Sequence, residues 1–284
     1  MPVLELKVTG KSPVSLKEFL RREAGLSTHT ISRLKTVPDG ITRNGVQIRV
    51  TASVYAGETI RLHYPEHPSE EPNPALCVPV VYETAHIVVC NKPVGMPVHT
   101  SILHRDDTLA NWFAAHCPDA GFHLLGRLDR NTSGLCAVAK SAYAANILEG
   151  KIQKSYVALV PPGLTGSGTV DAPIARVEES VILRCVREDG RRAVTHYEVI
   201  RNTPACTLVR FRLETGRTHQ IRVHMAHIGF PLLGDSLYAG DCSRLPTHAL
   251  HCDTMHLPDP ETGEPLTLYA PMREDMRRVL EETP

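Results

Sequence analysis

The sequence has no paired-cysteine spacing. Its eight cysteines are scattered without a single Cys-x-x-Cys, and a chain of 284 residues is long for a disulfide-stapled scaffold. No apolar run approaches the roughly 20 residues that a membrane-spanning helix needs. The start, Met1-Pro2-Val3-Leu4-Glu5, lacks the basic-then-apolar order of a secretion signal. Together these absences point to a cytoplasmic protein with no membrane partner. Internal repeats and low-complexity tracts are also missing. Net charge is zero, which by itself argues against a general nucleic-acid binder.

The charge is unevenly spread. Residues 1–63 carry ten Lys/Arg against five Asp/Glu, a balance of +5, residues 64–81 stand at −3 and the remainder at −2. A small basic module ahead of a larger, nearly neutral one suits a polyanionic partner. The module reads as a short strand over residues 3–8, then a helix opening at Ser15 with Glu18 three residues on, a capping box. Leu16, Phe19 and Leu20 fall on one face of that helix. A second helix starts at Ser27 or Thr28 and runs through Ile31 and Leu34. Short strands follow at Ile41–Arg43, Val46–Arg49 and Thr59–His63, with Asn44-Gly45 a two-residue hairpin signal. Residues 64–79 hold five prolines without periodicity, an extended linker. From Val80 short strands dominate, with helices inserted around Thr108–His116 and Ser141–Leu148 and no regular βαβ alternation. The fold class expected is α+β with a mixed, mainly antiparallel sheet, preceded by the helix-helix-hairpin module. The domains are then 1–63, the linker 64–79, and 80–284.

The stretch that organises the larger domain is Gly126–Leu135, GRLDRNTSGL. Apolar runs flank it at Phe122–Leu125 and Cys136–Ala139, each with the character of a buried strand or strand end. Glycines bracket a tight path, and Asn131-Thr132-Ser133 is turn chemistry. An isolated Leu-Asp-Arg triplet would read as a turn-capping acid beside an arginine. The complete string resembles the active-site motif of the RluA-type pseudouridine synthases, usually HRLDRDTSGL. Lys154-Ser155-Tyr156-Val157-Ala158 and Thr215–His224, TGRTHQIRVH, match two further family strings in the expected order, and Asn91–His99 resembles its NKPxGxxVH segment. The likeness covers roughly Val80 to the C-terminus. Gly126 stands where His is usual, Asn131 where Asp is usual and Thr100 where proline is usual. The first module is similar to the S-four-type RNA-binding domain through Leu16–Leu20, Arg33-Leu34-Lys35, Val46 and Ala56-Gly57-Glu58.

The resemblance implies an enzyme that isomerises uridines of structured RNA to pseudouridine without a cofactor. Breaking the glycosidic bond, turning the base and rejoining it through carbon 5 needs no redox step. Asp129 matches the nucleophile, Arg222 the cation that holds its charge in an enclosed site, and Tyr156 the active-site tyrosine that stacks on the base and takes part in removal of the carbon-5 proton. Ile221 and Val223 alternate with Gln220, Arg222 and His224, which suits a strand or helix edge presenting polar groups to one side. The target base must leave its stack. Arg127 is matched to the intruding role; Arg130, Arg217 and His219 are further RNA-binding candidates, as are Arg21, Arg22, Arg33 and Lys35 of the first module. The expected partner is RNA, large-subunit ribosomal RNA or a pre-ribosomal particle by the domain combination, with transfer RNA the alternative, and the protein is expected to be a monomer. A catalytically silent RNA-binding or ribosome-assembly factor is opposed by intact Asp129, Tyr156 and Arg222. Cys242, His248, His251, Cys252 and His256 form a soft-ligand set, but their spacing fits no zinc pattern, so no metal is expected and a metal-dependent hydrolase is set aside.

Overall fold

The computed structural model describes residues 3–9, 13–26, 28–63, 70–178, 180 and 182–282, the side chains of residues 3, 29 and 33 excepted. The first 63 residues build β1 (Val3–Lys7), β2 (Val14–Ser15), α1 (Leu16–Arg22), α2 (Thr28–Leu34), β3 (Ile41–Arg43), β4 (Val46–Gln47), β5 (Ser53–Val54) and β6 (Thr59–His63). Ser15 caps α1 by accepting the Glu18 N–H at 3.3 Å. That places Leu16, Phe19 and Leu20 inward against Ile31, Leu34, Ile60 and Leu62, a core separate from that of the rest of the chain. The sheet runs β1-β6-β3-β4. Its β3–β4 turn places both Asn44 (φ 52°) and Gly45 (φ 79°) in the left-handed region, as a two-residue hairpin of this hand requires.

The prolines at 72, 74 and 79 lie on a docked strap. The Asn73 N–H donates to the Asn111 carbonyl at 3.0 Å, the Asn111 amide donates to the Glu71 carbonyl at 2.8 Å, and Leu76 and Val78 pack into the main core. Residues 64–69, the other part of the linker expectation, lie outside the described residues, as do Ser27 and Val181.

The larger part comprises β7 (Val80–Glu83), β8 (Ile87–Lys92), α3 (Leu109–His116), β9 (His123–Leu125), β10 (Ser133–Ala139), α4 (Ala142–Leu148), β11 (Gln153–Val160), β12 (Ser167–Asp171), β13 (Ile174–Arg176), β14 (Arg184–Val186), β15 (Val194–Asn202), β16 (Thr207–Leu213), α5 (Gln220–His227), β17 (Leu250–Pro258), β18 (Pro265–Tyr269) and α6 (Glu274–Glu281). Among the described residues its main sheet runs β12-β15-β16-β11-β17-β10-β8-β7, with β18 on β17 and β9 on β10. The pairings are antiparallel save that of β10 with β17. The architecture is therefore α+β with a mixed, mainly antiparallel sheet. All seven residues of β10 are buried, so the strand that leaves the GRLDRNTSGL loop is fixed at the centre of the sheet. Trp112 and Phe113 of α3 close one side of that core.

The two parts meet at α4. Tyr143 packs on the smaller core, and the Asn146 amide donates to the Gly25 carbonyl at 2.8 Å.

Candidate active site

The loop from Gly126 to Thr132 joins β9 to β10, and several distant segments hold it. Gly126 (φ 84°) and Gly134 (φ 106°) take conformations that side chains disfavour. At Gly134 a Cβ would also lie 2.2 Å from the Cys252 carbonyl oxygen of β17; the parallel pairing requires glycine there. The Thr132 N–H closes the turn on the Asp129 carbonyl at 3.1 Å. The Thr132 and Ser133 hydroxyls lie 3.0 Å from His248 Nε2 and 2.9 Å from His251 Nδ1. From below, fully buried Lys92 donates to the carbonyls of Pro93, Met96 and Arg130. Burial pulls its ammonium down to about 8. Lys154 donates to the Gly126 carbonyl at 2.8 Å, and its Nζ occupies the space beside Gly126 where a Cβ would come to 3.0 Å.

So held, Asp129 faces a cleft of about 1440 Å³. Arg222 Nη1 lies 3.6 Å from its Oδ2 and His219 Nε2 lies 3.9 Å away. The sequence reading pairs the guanidinium fork with Asp129. The structure places the fork elsewhere: Arg222 Nε and Nη2 donate to both oxygens of Asp235 at 2.7 and 2.8 Å. Asp235 is 1% exposed, and a bidentate carboxylate in a dry site is the stronger partner. Asp129 takes the remaining Nη1 edge. Burial works against the Arg222 charge, but the hydrogen bond and charge of Asp235 outweigh it and raise its pKa. Tyr238 completes the group. Its ring faces the guanidinium at 5.0 Å, and its hydroxyl lies 2.8 Å from His219 Nδ1. Burial lowers the His219 pKa against the opposing pull of Asp129.

Residues 220–227 form α5, and the side chains expected on one edge diverge. Successive helical residues are turned by about 100°. Gln220 and His224 bond to β15 at Val194 and Thr195, while Arg222 points to the two aspartates. Tyr156, on β11, is 8% exposed and lines the cleft; burial pushes its phenol well above the usual range. Arg127 is exposed on the cleft rim and donates to the Thr218 hydroxyl at 3.0 Å. Arg217 also lines the cleft and donates to the Arg192 carbonyl. Arg130 turns away to the Gly95 carbonyl at 3.0 Å.

Arg21, Arg22 and Lys35 are exposed on the smaller part, with Arg22 paired to Glu18 at 2.7 Å. None of the three lines the cleft; that part reaches it through Leu26 and Thr30. The Arg33 side chain lies outside the described residues. The soft-ligand set separates into individual hydrogen bonds. His248 and His251 hold the motif loop, His256 Nδ1 lies 2.9 Å from the Thr267 hydroxyl, and Cys242 is exposed. Asp235 and Tyr238 are not among the site residues that the sequence motifs indicate. The signal was present: Leu232-Leu233-Gly234-Asp235 repeats the pattern of an apolar run, a glycine and an acid that marked Asp129.

The family described as RNA pseudouridylate synthase matches residues 86–227. Of curated proteins, the RNA pseudouridine synthase YjbO of Bacillus subtilis is 36% identical over 279 residues, spanning 94% of this chain and 98% of its own. Ribosomal large subunit pseudouridine synthase D of Pseudomonas aeruginosa is 36% identical over 280 residues, 89% of this chain and 87% of that one. The same-named protein of Xanthomonas campestris is 39% identical over 227 residues, 71% and 68% of the two chains. Of solved structures, human RNA pseudouridylate synthase domain containing 1 superposes with a TM-score of 0.59 at 26% identity, over 71% of this chain and 86% of that one. A match across half the chain, and a relative aligned over nearly its whole length, fix the assignment: the chain belongs to the RNA pseudouridylate synthase family.

Proposed function

We propose that this pseudouridine synthase acts on uridines of large-subunit ribosomal RNA, with Asp129 as nucleophile, after the target base has left its stack. The observation that carries the reading is the Asp129 carboxylate facing the cleft beside an arginine that a buried second carboxylate already holds. The Asp129 oxygens are left for the reaction, and Arg222 steadies the anion from its edge. The carboxylate forms the bond that replaces the glycosidic carbon–nitrogen bond. The ring of Tyr156 supports the released base while it turns. At neutral pH its phenol is protonated, so it enters the last proton transfer as a hydroxyl. Arg127, on the rim, occupies the space that an extruded nucleotide vacates in this reading; that extrusion costs a few kcal/mol. Arg217 and His219 border the same cleft, whereas Arg130 serves the loop.

Residues 1–63 are proposed to be an S-four-type RNA-binding domain, supported by the helix-helix-hairpin layout and the balance of +5. Leu26 and Thr30 border the cleft, so RNA entering it meets both parts of the chain. Ribosomal RNA is favoured over transfer RNA by the names of the Pseudomonas and Xanthomonas relatives.

The test is Asp129→Asn, measured by tritium release from ribosomal RNA labelled at uracil carbon 5 beside a melting curve. Asn keeps the size, and the turn closes on the backbone carbonyl of residue 129, so a stable protein with no detectable release is expected. A stable variant with near-native release would show that Asp129 is not the nucleophile.

A further inference from the structure

At the end of β10 remote from the motif loop, a second cluster has no part in the chemistry above. Glu83 ends β7, while His116 and Cys117 end α3. Their ligand atoms all lie within 4.8 Å of one another. We propose that Glu83, His116 and Cys117 bind a divalent transition metal of the zinc type, joining the sheet edge to α3.

The geometry and the donor chemistry carry this. Glu83 Oε2 lies 2.8 Å from His116 Nε2, and Glu83 Oε1 lies 3.8 Å from Cys117 Sγ. A tetrahedral zinc with bonds of about 2.0–2.3 Å sets its donors roughly 3.3–3.6 Å apart, a spacing that side-chain adjustment reaches from a group whose ligand atoms span at most 4.8 Å. A carboxylate, an imidazole and a thiol together suit zinc, whereas magnesium and calcium take oxygen sets. The ligands sit on firm supports. His116 stacks on Trp112, ring centroids 4.9 Å apart at 13°. Cys117 caps α3 through its N–H to the Phe113 carbonyl and is 8% exposed. Lys140 donates to Glu83 Oε1 at 2.6 Å, a bond that orients the carboxylate from outside and leaves Oε2 to the metal.

An ion-pair network alone accounts for Lys140, Glu83 and His116; the thiol that donates to the same carboxylate at 3.8 Å adds a soft ligand such a network does not need. A hollow of about 350 Å³ opens over the group, through which a water fills the fourth position. On binding, Cys117 gives its thiol proton to solvent and His116 coordinates through a deprotonated Nε2. No electron is transferred.

The test uses the full-length, chelator-treated protein titrated with cobalt(II) chloride and then zinc chloride. Expected is a thiolate-to-cobalt charge-transfer band that saturates at one equivalent and is displaced by zinc. Cys117→Ser should remove the band while the protein still modifies RNA and melts cooperatively. His116→Gln should weaken metal binding by more than the roughly 10–100-fold that loss of an outer partner costs; it also decides the matter if the serine variant does not fold. Absence of the band in the parent protein overturns the proposal. So does a band that survives Cys117→Ser, since it would come from exposed Cys77 or Cys242, and so does unchanged metal affinity in His116→Gln.

Discussion

Replacing Asp235 with Asn tests whether the buried pair behind Asp129 sets up the site. The Arg222 and Asp235 side chains are 7% and 1% exposed and joined by two hydrogen bonds. Removing the charge of one partner strands the other, which typically costs about 3–5 kcal/mol. Asp129, 3.6 Å from Nη1, can take up part of the guanidinium, so the lower value of about 3 kcal/mol is expected. At about 2–4 °C per kcal/mol in a domain of this size, the melting point should fall by about 6–12 °C. The rate should fall as well, because Arg222 would close on Asp129 and displace the carboxylate; a shift of about 1 Å at a reacting group can cost roughly 10²-fold. Tritium release at a temperature below both melting points separates the two effects. A second arm, Arg222→Met with Asp235→Leu, replaces the pair by apolar side chains. That double variant should melt nearer the parent than the sum of its single variants predicts. Native melting and native rate in Asp235→Asn would refute the argument, and so would single costs that simply add.

Acid should destabilise the fold partly through His248. Burial lowers its pKa to about 2. Between pH 6.5 and 2 only the unfolded chain takes that proton, so stability falls with pH by up to about 1.4 kcal/mol per unit, about 2.7 kcal/mol by pH 4.5. Denaturant midpoints of the parent and of His248→Gln, taken at pH 7 and pH 4.5, check this; equal losses in both would refute it. Gly134→Ala should cost about 2–5 kcal/mol, because a Cβ at φ 106° would meet the Cys252 carbonyl; an unchanged melting curve would contradict that. If the first part of the chain binds phosphates, changing Arg21, Arg22 and Lys35 together to Gln should flatten the logarithmic salt slope of RNA binding by about 2–3. An unaltered slope would remove these side chains from the interface.

Elements that depend on local chemistry were legible in the sequence. Ile41–Arg43 and Thr59–His63 read as strands and are strands, and Ser15 and Ser141 cap the helices expected there. Asn44-Gly45 turns as its dipeptide demands. What escaped was non-local. Alternating apolar residues around Arg222 fit an edge of either type, and only the packing of Gln220 and His224 on β15 decides for α5. The partnership of Arg222 with Asp235 spans thirteen residues across a turn, and no periodicity links them. The run of histidines after Leu245 resembled a ligand set because type and spacing do not reveal direction. Two of them point at separate hydroxyls of the motif loop.

The ties on that loop also set an order of events during synthesis. Thr132 and Ser133 are anchored to histidines 116 and 118 residues further along, and the arginine beside Asp129 waits for Asp235. When the ribosome has made GRLDRNTSGL, the strand that must lie parallel to β10 has not been translated. Contacts of such long sequence separation form late. The nascent chain therefore carries Asp129 on an unsupported loop until the region around His251 has emerged, and the site is assembled only after that.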